Sequence, residues 1–147
     1  MTLLSSRNDE ELRKLFIEIK TIAVVGLSHD AAKPSHEVAA YLQKAGYRII
    51  PINPEPGLIL GEAVYPTLAD VPVQVDLVDV FRRAEACAEV VRQAVPLKPR
   101  AIWLQLGIVS KEAAQIANDA GVPFVMDRCT KIDHQRLLGK RMAGDKG

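Results

Sequence analysis

Short apolar runs alternate with helical repeats along almost the whole chain. The runs are rich in β-branched residues and end at glycine, proline or charged residues, which is typical of buried strands. The segments between them carry apolar residues three or four positions apart, as expected of amphipathic helices. The pattern predicts strands at residues 22–25, 47–52, 75–81, 101–106 and 122–126, and helices at about 8–20, 36–45, 84–95, 110–120 and 132–138. Residues 53–61, which contain two prolines and two glycines, are predicted to be a loop.

Strands that alternate with helices favour a parallel sheet that is covered on both faces. Five such strands predict a doubly wound α/β fold with right-handed crossovers. In such folds, ligands bind outside the carboxyl ends of the strands, at the point where the strand order reverses. No repeat, low-complexity segment or second domain is evident, so residues 1–147 are expected to form one domain with a frayed tail at 139–147.

The bulk composition argues against several functional classes. With 19 basic and 18 acidic residues, the formal net charge is +1, which disfavours a broad electrostatic grip on nucleic acid. Aromatic residues make up only 5%, so a platform for stacking unpaired bases is not expected. No apolar run is long enough to span a bilayer, and the N-terminus lacks the apolar core of a signal peptide, which predicts a cytoplasmic protein. Cys87 and Cys129 are therefore expected to be reduced thiols.

The junction between the first strand and the next helix is the main candidate for chemistry. Gly26 follows the strand directly, and Ser28, Lys33, Pro34 and Ser35 lead into the helix. Such a strand–turn–helix aims unpaired backbone amides and the positive end of a helix at one point, where a phosphate fits. Gly26 is expected close to those phosphates, in a strained position where a Cβ would intrude. The sequence thus predicts a nucleotide-type ligand that is held by its phosphates.

The glycine pattern bears on which nucleotide this is. A dinucleotide fingerprint reads G-x-G-x-x-G, with an acidic residue at the tip of the second strand. Here Ser28 and Ala31 stand where the second and third glycines would be, and the second strand ends at Asn53 and Pro54, with Glu55 just beyond. These departures weaken an NAD assignment. An NAD(P)-dependent oxidoreductase, or another nucleotide-binding enzyme, stays open as an alternative.

Four short motifs together resemble a known family. They are Gly26-x-Ser28, Lys33-Pro34-Ser35-His36, Pro51-Ile52-Asn53-Pro54 and Asp127-Arg128-Cys129. In this combination the chain resembles the stand-alone coenzyme A-binding domain proteins, which are similar to the N-terminal domain of the succinyl-CoA synthetase α subunit. The resemblance covers roughly residues 17–138. It implies a Rossmann-like domain that binds coenzyme A or acyl-CoA at the carboxyl edge of its sheet, and it does not imply a reaction.

The resemblance also implies roles for individual residues. The turn against the pyrophosphate would consist of Gly26, Leu27 and Ser28, and Ser35 would lie at the helix N-terminus. The edge of the adenosine pocket would be formed by Ile52, Asn53 and Pro54. Phe81 and Arg82 would line the site from the next strand. The synthetase domain has a lysine shortly after the proline of the second strand, where this chain has Glu55 and Pro56. The candidates to replace that cation at the 3′-phosphate are Lys33, Arg48, Arg82 and Arg83.

Several of these residues also have ordinary structural interpretations. Ser35 could be a helix N-cap, and Arg82 or Arg83 could pair with Asp79 or Glu85 at the surface. Gln105 is a further candidate for the site because it lies near a strand end. Trp103 and Cys87 are predicted to be core residues.

No complete catalytic or metal-binding constellation is evident in the sequence. The histidines are too scattered for a metal cluster, and Cys129 lies beside Arg128 without a placed base. The sequence therefore predicts a non-catalytic protein with a small-molecule coenzyme A ligand. A regulatory module that senses acyl-CoA and has a protein partner is the other alternative.

Overall fold

The computed structural model of the protein describes residues 8–139. Its helices are α1 (Asp9–Glu18), α2 (Pro34–Lys44), α3 (Ala84–Ala94), α4 (Lys111–Asp119) and α5 (Thr130–Leu138), and its strands are β1 (Thr21–Val25), β2 (Arg48–Ile52), β3 (Leu58–Ile59), β4 (Glu62–Ala63), β5 (Leu77–Val80), β6 (Ala101–Leu104) and β7 (Phe124–Val125). The tail predicted to fray lies outside the described residues, apart from Gly139. No helix among residues 8–139 is long and apolar enough to cross a membrane.

The sheet has five parallel strands in the order β2-β1-β5-β6-β7. The chain moves from β1 outward to β2 and then returns to place β5 on the other side of β1. The strand order therefore reverses at β1 and β5, and a ligand crevice is expected outside their carboxyl ends. The predicted Rossmann-like doubly wound fold is confirmed.

Helices cover both faces of the sheet, as predicted. Helices α1, α2 and α5 contribute to a buried cluster on one face, which includes Phe16, Leu42 and Trp103. Helices α3 and α4 contribute to a second cluster on the other face, which includes Cys87 and Ala117. Trp103 and Cys87 are fully buried, which confirms their predicted core positions.

Several predicted boundaries differ from the observed ones. The strands predicted at 75–81, 101–106 and 122–126 are shorter in the structure, where they are β5, β6 and β7. The reason is that an apolar run reports burial, which extends beyond the hydrogen-bonded ladder: Val75 is buried although it precedes β5. Leu106 is the opposite case, since it is apolar but 63% exposed. Helices α2 and α5 each begin two residues earlier than predicted, at Pro34 and Thr130.

The prediction that residues 53–61 form a loop is wrong in part. Strands β3 and β4 pair as an antiparallel hairpin, and Leu60 and Gly61 at its tip have φ values of 55° and 79°. Positive φ at both central residues is the pattern of a type I′ turn. Ile59 is buried in the core, and a parallel bridge between Ile52 and Tyr65 attaches the segment beyond the hairpin to β2. The prolines and glycines obscured these two-residue strands in the sequence.

Candidate functional site

The turn after β1 lies where the strand order reverses. Gly26 has φ of +86°, a left-handed conformation, and a Cβ added there would lie 2.4 Å from the Phe81 carbonyl oxygen. Only glycine fits so close to the end of the neighbouring strand. The sequence predicts that ligand phosphates restrict this position, and the structure shows that the backbone after β5 also restricts it.

Two amides of this turn are already used by the protein. Gly26 N donates to the Ile52 carbonyl over 2.9 Å, and Ser28 N donates to Ser35 Oγ over 3.0 Å. The interpretation of Ser35 as an N-cap is therefore wrong, because Lys33 occupies the N-cap position and the Ser35 hydroxyl fixes the preceding turn instead. Fewer free amides remain than the sequence predicted. A phosphate at this point would depend more on side chains and on the positive end of α2.

A cavity of about 460 Å³ opens beside the turn, and we call it the first cavity. It brings together parts of the chain that follow β1, β5 and β6 and the start of α2. Its lining consists of Gly26, Ser28, Lys33, Pro34, Ser35, Phe81, Arg82, Arg83 and Ile108. The cavity therefore combines a helix N-terminus with three cations.

A second cavity of about 340 Å³ lies at the carboxyl end of β2. Strand ends form one side, and one face of α3 together with the segment after the hairpin forms the rest. Its lining consists of Val25, Ile52, Asn53, Pro54, Pro66, Thr67, Leu68, Arg82, Ala86, Glu89, Val90 and Gln93. Arg82 belongs to both linings, so the two cavities adjoin at this side chain.

Polar contacts fix the turns that separate the strand ends. Asn53 Nδ2 donates to the Leu27 carbonyl over 2.9 Å, and Asn53 Oδ1 accepts from Glu55 N over 2.8 Å. His29 Nε2 lies 2.9 Å from the Glu55 carbonyl oxygen. These bonds join the turn after β1 to the segment after β2, so the protein's own hydrogen bonds hold the shape of the edge.

The three cations of the first cavity have no acidic partner among residues 8–139. Within residues 8–139, no carboxylate lies within salt-bridge distance of Lys33, Arg82 or Arg83. The proposed surface pairing of Arg82 or Arg83 with Asp79 or Glu85 is therefore wrong. The first cavity is cationic, and an anion would suit it.

Arg48, the remaining candidate cation, lies at the opposite end of its strand. It is the first residue of β2, and Ile52 at the other end of the strand lines the second cavity. Four residues of extended chain separate their Cα atoms by about 13 Å. Arg48 is therefore remote from both cavities.

Gln105 does not line either cavity, contrary to its prediction as a site residue. It is 4% exposed, and its Nε2 atom donates to Asp79 Oδ1 and to Thr130 Oγ1. The Thr130 hydroxyl donates in turn to Asp79 Oδ2 over 3.0 Å. Burial raises the pKa of Asp79 to about 7, against the opposing effect of these hydrogen bonds. The network ties the N-terminus of α5 to β5 and β6 beneath the edge of the sheet.

The segment after β7 has a structural role in the described residues. The Arg128 guanidinium donates twice to the buried carboxylate of Asp133, over 2.6 Å and 2.7 Å, and this pairing raises the pKa of Arg128. The Arg128 carbonyl accepts from Trp103 Nε1 over 2.7 Å. Cys129 is a free, half-buried thiol that lines neither cavity. Arg128 is thus committed to Asp133 rather than to the neighbouring Cys129 thiol, which lies at the N-cap of α5.

Most of the predicted site residues lie around the two cavities. The first cavity contains Gly26, Ser28, Lys33, Ser35, Phe81, Arg82 and Arg83, and the second contains Ile52, Asn53, Pro54 and again Arg82. Leu27 lies in the same turn, but its side chain is fully buried in the core. It contributes to the edge through its backbone carbonyl, which accepts the hydrogen bond from Asn53.

Sequence reasoning missed the contribution of α3, of the segment after the hairpin (Pro66, Thr67 and Leu68) and of the loop after β6. Ala86, Glu89, Val90 and Gln93 are spaced by three or four residues, so they share one face of α3 beside the second cavity. That spacing was a usable signal, because α3 begins at Ala84, directly after the predicted site residues Arg82 and Arg83. Ile108 carried no comparable signal, since its place depends on the path of the loop after β6.

Comparison with known proteins agrees with this architecture. A family described as a CoA binding domain matches residues 20–135. The uncharacterized protein YneT of Bacillus subtilis is 36% identical over 124 residues, which cover 84% of this chain and 92% of YneT. The solved structure of cell-free ID.343 from Thermus thermophilus superposes with a TM-score of 0.85 at 39% identity and covers 88% of this chain and 98% of that chain.

A larger enzyme contains a similar region. The ADP-forming acetate–CoA ligase II of Archaeoglobus fulgidus is 33% identical over 85 residues, which are 56% of this chain but only 12% of the ligase. The similarity is therefore to one part of that ligase. The match over residues 20–135, together with the parallel sheet and the cavities at its carboxyl edge, shows that the chain belongs to the CoA-binding domain family.

Proposed function

We propose that this protein binds coenzyme A or an acyl-CoA at the carboxyl edge of its sheet, as a single domain and without catalysing a reaction. The first cavity would hold the pyrophosphate, and the second would hold the adenosine. Arg82 lines both cavities, so a ligand that extends from one to the other passes beside its side chain. Family membership supports this ligand class.

The observation that carries the proposal is the cluster of cations in the first cavity, which have no carboxylate partner in the part of the chain that the structure describes. Lys33, Arg82 and Arg83 line the same space, and the N-terminus of α2 adds the partial positive charge of its helix dipole. Like charges so placed repel one another, and a pyrophosphate would offset that repulsion. A neutral ligand would not.

The linings also support binding without turnover. Among the described residues that line the two cavities, none is a histidine, cysteine or aspartate, and Glu89 is the one carboxylate. Glu89 lies within 3.4 Å of Arg92, in the cavity assigned to adenosine. Acid–base or nucleophilic catalysis at a thioester needs a placed group beside it. The hydroxyls of Ser28 and Ser35 in the first cavity instead accept hydrogen bonds from the backbone amides of Asp30 and Ser28.

Isothermal titration calorimetry of the whole chain with coenzyme A tests the proposal. Arg82→Ala should weaken binding by about 1.5–3 kcal/mol, the value of a charge-assisted hydrogen bond, which is roughly 10- to 150-fold in Kd. Arg48→Ala is the matched control, because it removes the same side chain from the far end of β2 and should leave Kd unchanged. Equal losses in the two variants, or no binding of coenzyme A by the wild type, would contradict the proposal.

Titration with NAD under the same conditions distinguishes the nucleotide-enzyme alternative. We expect coenzyme A to bind more tightly, because no acidic side chain occupies the tip of β2, where Asn53 follows Ile52 and bonds to the Leu27 carbonyl. Incubation with acetyl-CoA, followed by mass spectrometry, should leave the thioester intact. Repeated turnover of the thioester would show an enzyme instead.

A further inference from the structure

The loop after β6 exposes aliphatic side chains beside the candidate site. Leu106 is 63% exposed and Val109 is 47% exposed, while Ile108 between them lines the first cavity. Single exposed aliphatic residues are ordinary on a protein surface, but these two flank a residue that lines a cavity, which makes them a candidate for contact with its ligand. We call residues 106–109 the aliphatic loop.

Hydrogen bonds hold the aliphatic loop in place. Gly107 N donates to Asp127 Oδ1 over 2.7 Å, and Ile108 N donates to the Gln105 carbonyl over 3.0 Å. Gln105 is itself fixed to Asp79 by a buried hydrogen bond. The exposed apolar surface thus lies on a constrained turn. A ligand that covers it would bind at little cost in conformational entropy of the loop.

The position of the aliphatic loop relative to the cations indicates its occupant. The turn at Gly26 follows β1, and the aliphatic loop follows β6, with β5 between these two strands. Two strand spacings separate them by about 10 Å. An occupant that spans this distance beside Arg82 would be anionic at one end and aliphatic at the other.

We propose that the aliphatic loop binds the acyl group of an acyl-CoA, so that the protein prefers acyl-CoA to free coenzyme A. This inference rests on the proposed function and names its ligand more closely. The pantetheine arm is flexible and longer than the separation between the Gly26 turn and the loop, so it can bring a thioester-linked chain to Leu106 and Val109. Ile108 connects the two regions, because it belongs to both the loop and the first cavity.

Calorimetry of the whole chain with coenzyme A, acetyl-CoA and octanoyl-CoA, the last kept below its micelle concentration, tests this inference. Octanoyl-CoA should bind at least about tenfold more tightly than coenzyme A, since its chain buries apolar surface that the acetyl group lacks. The double variant Leu106→Ser/Val109→Ser should lose most of that preference and keep its affinity for coenzyme A. Leu58→Ser is the matched control, because Leu58 is 68% exposed on β3, outside both cavity linings.

The outcomes separate this inference from the proposed function. Equal affinity for coenzyme A and octanoyl-CoA overturns the inference and leaves the proposed function standing, whereas no binding of either ligand overturns both. A preference for octanoyl-CoA that survives in the double variant also overturns it, because the acyl group then binds elsewhere. A dimer in light scattering that the double variant dissociates would assign the loop to a second copy of the chain and overturn it too.

Discussion

Asp79 is the residue whose replacement tests the buried polar network most directly. Burial raises its pKa from 3.8 to about 7, although hydrogen bonds from Gln105 and Thr130 act in the opposite direction. Between about pH 4 and pH 7, the native protein therefore keeps a proton on Asp79 that the unfolded chain has lost. Because the native state then binds more protons than the unfolded state, the free energy of unfolding falls as the pH rises through this window.

The expected size of this change in the free energy of unfolding follows from the pKa values of Asp79 in the unfolded and native states. They differ by about 3 units, and each unit corresponds to about 1.4 kcal/mol, so the contribution is at most about 4 kcal/mol. This contribution to stability is fully present below about pH 4 and is lost above about pH 7. Asp79→Asn cannot ionise, and its amide can accept from Gln105 and donate to Thr130. Its free energy of unfolding, relative to wild type, should rise by up to about 4 kcal/mol across the window.

Urea denaturation at a series of pH values measures this difference. Trp103, the single tryptophan of the chain, is buried and lies opposite Asp79 in the β5–β6 register, so its fluorescence reports unfolding next to the substitution. Thr130→Val is a second variant, because it removes a hydroxyl donor that lowers the pKa of Asp79 and should extend the window to higher pH. A difference between Asp79→Asn and wild type that stays constant with pH would refute this reasoning.

Two further substitutions test the framework around the site. Gly26→Ala should destabilise the protein by about 2–5 kcal/mol in urea denaturation, since it combines left-handed strain with a clash at the Phe81 carbonyl. Gly121→Ala, which has similar φ but open space around its Cβ, should cost only the strain; equal losses in the two variants would show that the clash is absent. Arg128→Ala should cost about 1–3 kcal/mol in the same assay, because the buried Asp133 carboxylate loses its bidentate partner and keeps only Arg136, which lies 3.3 Å away. A change below about 0.5 kcal/mol would contradict that role.

The edge of the sheet could be predicted from the sequence because it depends on local patterns. A strand ends where its apolar run meets glycine, asparagine or arginine, as at Gly26, Asn53 and Arg82. In a parallel sheet all such ends lie on the same edge, so residues far apart in the chain could be grouped without knowledge of their contacts. The sheet order and both cavity linings agree with that grouping.

The features that sequence reasoning missed depend on partners distant in the chain. Gln105 lies near a strand end, as predicted, but its amide bonds to Asp79 and Thr130, which are 26 and 25 residues away. The same holds for Gly26 N, whose acceptor is the Ile52 carbonyl on the neighbouring strand. A pattern along one segment reports which residues are buried, but it does not report which polar atoms are already paired.

The pairing of backbone amides within the protein affects how a phosphate would bind at the turn after β1. With Gly26 N and Ser28 N used inside the protein, recognition passes to the side chains of Lys33, Arg82 and Arg83, which face one cavity without a carboxylate among the described residues. Exposed side chains attract an anion less strongly as salt is added, whereas buried amides are screened much less. Binding that relies on these cations should therefore weaken markedly with ionic strength. Gly26 contributes to this edge in another way, since the backbone at Phe81 leaves no room for a Cβ at that position.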